Sequence, residues 1–153
     1  MNVKSEFTQP QSMFWWALTL AWAVLIFYLS TRTFTPDFSQ GVLAATLHFF
    51  HVRVSPRTFY FLHALLRKLA HLTEYAIFAL LLYSRPGKER QALWLPRRAV
   101  ACILIAAAYS LTDEYHQLFV PGRHGSLLDC GVDTIGASLA MLVPYTRKQI
   151  SLL

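Results

Sequence analysis

Runs of apolar residues separated by short polar stretches divide this chain into helix-sized pieces. The first run, 13–29 (MFWWALTLAWAVLIFYL), carries no charge; a helix of that length just crosses a hydrocarbon core of roughly 30 Å. Trp15 and Trp16 near one end and Tyr28 near the other suit interfacial aromatic belts. Ser30-Thr31-Arg32 marks the exit. The connection 33–55 is the longest, and the stretch 41–52 (GVLAATLHFFHV) within it is apolar but too short to span. An interfacial or re-entrant helix is expected there. Ser55-Pro56 reads as a helix start, with Ser as N-cap and Pro in the first position. A helix from there to Tyr83 would be about 42 Å long. That exceeds the core, so Phe59-Tyr60-Phe61 is placed at the headgroups and 62–83 in the bilayer. A basic loop over 86–98 leads to a third span, 99–119. Val120-Pro121-Gly122-Arg123 is a turn by composition, and a fourth span, 126–143, stops at Pro144. The pattern predicts an all-α membrane protein, a bundle of about four transmembrane helices with an additional interfacial or re-entrant helix in the first loop. Tails at 1–12 and 146–153 flank a transmembrane domain at 13–145.

Composition agrees with this picture. The chain is 55% hydrophobic and only 14% charged, whereas a soluble domain carries roughly a quarter charged residues. No internal repeat or low-complexity tract is present. The run 13–29 lacks a small-residue cleavage motif before Ser30 and is followed by further apolar segments, so it is read as a span rather than a signal peptide.

Net charge, +6, adds orientation. The basic residues flank apolar segments and form no stripe, which argues against nucleic acid and for membrane lipids as partners. Lys4, Arg85, Lys88, Arg90, Arg97, Arg98, Arg147 and Lys148 fall on one side of the predicted bundle; Arg32, Arg53, Arg57 and Arg123 fall on the other. The excess predicts a multi-pass protein of the bacterial inner (cytoplasmic) membrane with N and C termini cytoplasmic. Cys102 and Cys130 have no metal-ligand spacing, and they fall near opposite ends of their spans, so no disulfide between them is expected.

Chemistry concentrates inside the predicted spans. Glu74, Asp113, Glu114, Asp129 and Asp133 lie within or at the ends of them, with Lys68, His71, His116 and Arg123 as basic companions. Each costs about 2.5–3.5 kcal/mol to insert, so such residues usually serve a purpose. Counting rise per residue places Lys68 about 22 Å above Tyr83, His71 about 18 Å above it, and Glu74 near mid-depth. Asp113 and Asp133 both fall about 9 Å inside the outer ends of their spans. Lys68, His71, Glu74 and Tyr75 share one helical face; so do Asp113, His116 and Gln117, with Ser110 alongside. Asp129 and Asp133 are one turn apart, and Gly136 and Ala137 continue that face with small residues that admit a close neighbour. A shared outward-facing polar pocket is therefore expected.

Plainer readings compete. Ser126-Leu127-Leu128-Asp129 matches a capping box, so Asp129 has an alternative role as a helix cap. Arg123 reads either as a phosphate clamp or as an interfacial anchor. His48 and His51, three apart, can share a helical face, although two exposed interfacial histidines explain them better than a metal pair. The whole polar set also has a purely structural reading, as a network that fixes helix packing.

Two segments resemble a known family. Residues 66–75, LRKLAHLTEY, resemble the Lys-x-x-His-x-x-Glu-Tyr signature of the VanZ-like family. Residues 109–136, YSLTDEYHQLFVPGRHGSLLDCGVDTIG, resemble its second signature, Asp-Glu-x-His-Gln…Pro-Gly-Arg…Asp-x-x-x-Asp-x-x-Gly. The Phe27-Tyr28-Leu29-Ser30 ending of the first span fits as well. The resemblance implies a four-helix bacterial membrane protein of the cell envelope, associated with resistance to the glycopeptide antibiotic teicoplanin.

Three functions remain open from sequence. In an envelope enzyme acting on a lipid-linked or headgroup substrate, Asp113, His116, His71 and Asp133 would be catalytic. Lys68, Arg123, Glu74, Tyr75, Glu114 and Gln117 would bind substrate. Asp129, Asp133 and Asp113 would hold a divalent cation. A non-catalytic binder or transport helper would use the same residues for a lipid-linked cell-wall precursor or a glycopeptide antibiotic. A structural membrane protein would use them only to set helix register.

Overall fold

The computed structural model describes residues 10–31, 36–84, 94–121, 123 and 125–150, and every regular element in them is a helix. In chain order these are α1 (Pro10–Leu29), α2 (Pro36–Phe49), α3 (Pro56–Tyr83), α4 (Pro96–Gln117), α5 (Leu127–Ala140) and α6 (Leu142–Ile150). The all-α class expected from the pattern is what the chain adopts. Lys4, Arg32, Arg85, Lys88 and Arg90, part of the charge asymmetry used for orientation, lie outside the described residues, as does Gly122 of the expected turn.

Proline starts four of these helices. At the first position its fixed φ suits the helix and its missing N–H would have had no partner anyway. At α3 the expected cap is present, with Ser55 Oγ accepting the Thr58 N–H at 3.2 Å. Helix α2 begins five residues ahead of the apolar stretch and stops at Phe49, short of its end. Its last turn is closed by two bonds, His51 N–H to the His48 carbonyl at 3.0 Å and Val52 N–H to the Leu47 carbonyl at 2.9 Å. This is a Schellman cap with His51 left-handed, φ 57°. His51 thus ends the helix rather than sharing a face with His48.

Pro144 does not stop the fourth apolar segment. The break falls at Met141, whose N–H turns to the Ser138 carbonyl, and α6 then runs through Pro144 to Ile150. Pro144 is the third residue of α6, inside the first turn, where no intrahelical carbonyl awaits its nitrogen.

Helix directions follow from the contacts. Lys68 meets Asp129, and His71 meets Asp133, while Leu72 lies under Gly136; α3 and α5 therefore run parallel. Ser110 pairs with Asp133, and Glu114 with Ser126, so α4 runs antiparallel to both. Helix α1 is parallel to α4, its Ala23 carbonyl accepting the Tyr109 hydroxyl at 2.7 Å and Ser30 meeting Asp113 at 2.6 Å. Trp22 fixes α1 to α3 through a 3.0 Å bond to the Glu74 carbonyl.

Small residues make this packing close. The core contains Ala79, Ala99, Ala106, Ala137 and Ala140 beside Ile26, Tyr75, Phe78 and Met141. A side chain on Gly136 would run into the Leu72 carbonyl, so α5 rests on the backbone of α3. Many large apolar residues face out instead, among them Leu65, Leu69, Leu104, Ile105, Ile135 and Leu139. Among the described residues, the stretch Leu127–Ile150 is long and apolar enough to cross a membrane, and Met13–Leu29 is a shorter apolar helix. Helices α3 and α4 have the length, 28 and 22 residues. Their apolar character is interrupted by Arg67, Lys68 and Glu74 in one, and by Asp113 and Glu114 in the other.

Candidate functional site

The interrupting residues meet. At the end of the bundle where α1 and α4 finish and α5 begins, Asp113, Glu114, Gln117, Asp133, Ser30 and Ser110 are all buried, and His71 reaches in from α3. Helical spacing explains the α4 contribution, since residues 110, 113, 114 and 117 repeat at intervals of three and four along one face.

Each carboxyl is held from a different helix. Asp133 Oδ2 accepts the Ser110 hydroxyl at 2.5 Å. Asp113 Oδ2 accepts the Ser30 hydroxyl at 2.6 Å and Gln117 Nε2 at 3.1 Å. Glu114 Oε2 accepts the backbone N–H of Ser126 at 2.6 Å. Ser126 is the N-cap of α5 and makes no side-chain cap bond. Its N–H, which a capping box would have assigned to Asp129, goes to Glu114 of another helix. Asp129 turns outward, to Lys68 Nζ at 2.7 Å.

Part of the set is left open. Asp113 Oδ1, Asp133 Oδ1 and His71 Nδ1 are sealed from solvent and have no hydrogen-bond partner. Most buried polar atoms are paired, so three such atoms in one cluster call for an explanation.

The remaining sequence candidates distribute as follows. Glu74 is half-buried on the same face of α3, and Tyr75 is fully buried against Phe78 and Tyr109. His116 packs against Phe27 of α1, with ring centroids 4.5 Å apart and the planes tilted by 39°. Arg123 donates to the Leu29 carbonyl at 2.7 Å, fastening the loop after α4 to the end of α1. Burial is the main influence on its guanidinium and lowers its pKa from the ordinary value. Lys68 remains exposed. Sequence places Ser110 beside the Asp113 face without giving it a role, and its bond to Asp133 supplies one; the role of Ser30 depends on how α1 packs. Cys102 and Cys130 are both buried and are not joined in a disulfide.

The fold and cluster define an all-helical protein with an apolar exterior and a buried carboxyl–histidine centre shared by α3, α4 and α5. The chain belongs to the VanZ/LLP1 family, which it matches over residues 15–148, and so is a VanZ-like protein, linked through its family to glycopeptide resistance. No curated protein and no solved structure matches it.

Proposed function

We propose that the chain is a multi-pass protein of the bacterial cytoplasmic membrane. In this reading α1, α3, α4 and the α5–α6 segment span the bilayer, α2 lies at its outer surface, and both termini are cytoplasmic. The buried cluster then lies toward the extracytoplasmic leaflet and binds the headgroup of a lipid-linked envelope substrate, and through it the protein alters sensitivity to teicoplanin.

One observation carries this reading: inside the bundle neither Asp113 Oδ1 nor Asp133 Oδ1 makes a hydrogen bond. A network that served only to fix helix register would close on itself. Here each aspartate closes one oxygen onto Ser30 or Ser110; the other oxygen of Asp113 has no hydrogen-bond partner, and that of Asp133 faces the His71 ring at 3.3 Å. Headgroup hydroxyls and ammonium groups are donors for such oxygens. The outward-facing Leu and Ile residues supply the lipid-contacting belt this reading needs, while Lys68, paired with Asp129 one turn from Asp133, and Arg123, bonded to the residue before Ser30, supply positive charge for a phosphate.

Expression of wild type, Asp113→Ala and Asp133→Ala in a susceptible bacterium tests the proposal, with teicoplanin and vancomycin susceptibility measured at matched membrane levels. Wild type should raise the inhibitory concentration of teicoplanin, and both variants should return it to the vector control. Stable variants that protect as well as wild type would sink the pocket reading.

A further inference from the structure

We propose that His71, Glu114 and Asp133 form a three-ligand site for a divalent cation of the manganese or zinc type. The inference rests on the reading of the cluster as a binding site and adds the ion through which it binds. One ligand atom from each of the three residues lies within 4.8 Å of the others. Ligands held about 2.0–2.4 Å from a shared ion are at most about 4.0–4.8 Å apart. The three atoms lie within that outer limit, so small side-chain adjustments would let one ion draw ligands from α3, α4 and α5.

His71 Nδ1 and Asp133 Oδ1 face each other at 3.3 Å, an ion-pair distance but without hydrogen-bond geometry, and neither is reached by solvent. With Asp133 only 1% exposed, an unpartnered oxygen there costs desolvation energy that a cation would recover. Both carboxyls are also held from behind. Ser110 grips the far oxygen of Asp133 at 2.5 Å, and the Ser126 N–H holds Glu114 at 2.6 Å. Such outer bonds orient ligands toward a metal. The donor set, one imidazole nitrogen with carboxyl oxygens, favours zinc or manganese over calcium. Three protein ligands leave coordination positions open for a headgroup phosphate or hydroxyl oxygen.

This set differs from the Asp113, Asp129 and Asp133 trio that spacing suggested. Asp129 is engaged by Lys68, whereas His71 and Glu114 enter from neighbouring helices. Only Asp133 belongs to both.

The test uses full-length protein purified in detergent, stripped with chelator, and titrated with Mn²⁺ under electron paramagnetic resonance. Wild type should bind one equivalent and show nitrogen hyperfine coupling from a single imidazole. Zn²⁺ should compete with it. His71→Gln should lose the coupling, and Glu114→Gln and Asp133→Asn should weaken binding on the order of tenfold or more. Thr73→Ala, on the exposed side of α3, should bind as wild type does. The wild-type spectrum decides even where a variant fails to fold: no stoichiometric Mn²⁺ or Zn²⁺, or bound Mn²⁺ without nitrogen coupling, overturns the site. Teicoplanin protection that depends on Asp113, in a protein that binds neither metal, also overturns it while leaving the headgroup reading intact. A nitrogen-coupled ion in a protein whose variants all protect normally supports the site and removes the headgroup reading.

Discussion

Two aspartates of α5, one turn apart, carry different energetic weight. Lys68 and Asp129 meet at 2.7 Å with side chains 51% and 22% exposed. Water screens such a pair, and its net worth is about 0–1 kcal/mol. Asp133 is buried and depends on the Ser110 hydroxyl. Removing that donor strands a second carboxyl oxygen, at about 1–3 kcal/mol. Ser110→Ala should therefore lower the thermal unfolding midpoint in detergent by clearly more than Lys68→Ala does. Equal shifts would mean that Asp133 gains little from Ser110. The sequence shows which residues are costly to bury but not which partner each one finds. Asp113 and Asp133 were legible as buried because lipid tolerates such residues only inside a bundle. Asp129 looked like a cap because a local capping motif ignores what other helices offer, and here Glu114 supplies the cap.

Element boundaries repeat this lesson one level up. The starts at Pro56 and the end at Tyr83 were readable because cap and breaker are local signals. Met141 carries no such signal, and Pro144, which does, falls where a first turn tolerates it. The polar face of α4 was read with His116 in it; Phe27 of α1 claims that ring, and Glu114 takes the inward place. The close approach of α5 to α3 was anticipated from Gly136 and Ala137, and the Leu72 carbonyl beneath Gly136 gives it a sharp test. Gly136→Ala leaves no room for its methyl group without parting the two helices, at about 1–3 kcal/mol for overpacking. The same shift would spread His71 from Asp133. The variant should lose thermal stability, and Gly131→Ala, with open space around it, should not. Matching midpoints for the two would show that α3 and α5 yield easily.

At the scale of the whole molecule, helix direction and charge asymmetry make one joint prediction. The contacts place the end of α1, the end of α4 and the starts of α3 and α5 at one pole, beside the carboxyl cluster. The end of α3, the start of α4 and α6 fall at the other, where Tyr83, Trp94 and Tyr145 stack together. Arg97, Arg98, Arg147 and Lys148 lie at that second pole, so in the proposed spanning arrangement the positive-inside tendency would turn it to the cytoplasm and the cluster outward. A cysteine at Thr58, exposed at the start of α3, and one at Gln149, exposed in α6, read the two poles separately. In a background with Cys102 and Cys130 replaced, Thr58→Cys should react with a membrane-impermeant maleimide in intact cells. Gln149→Cys should react only after permeabilisation. The reverse pattern would put the cluster on the cytoplasmic side, out of reach of a drug that acts outside the membrane. Labelling of both in intact cells would contradict the spanning arrangement itself, since the two poles could then not lie across a bilayer from each other.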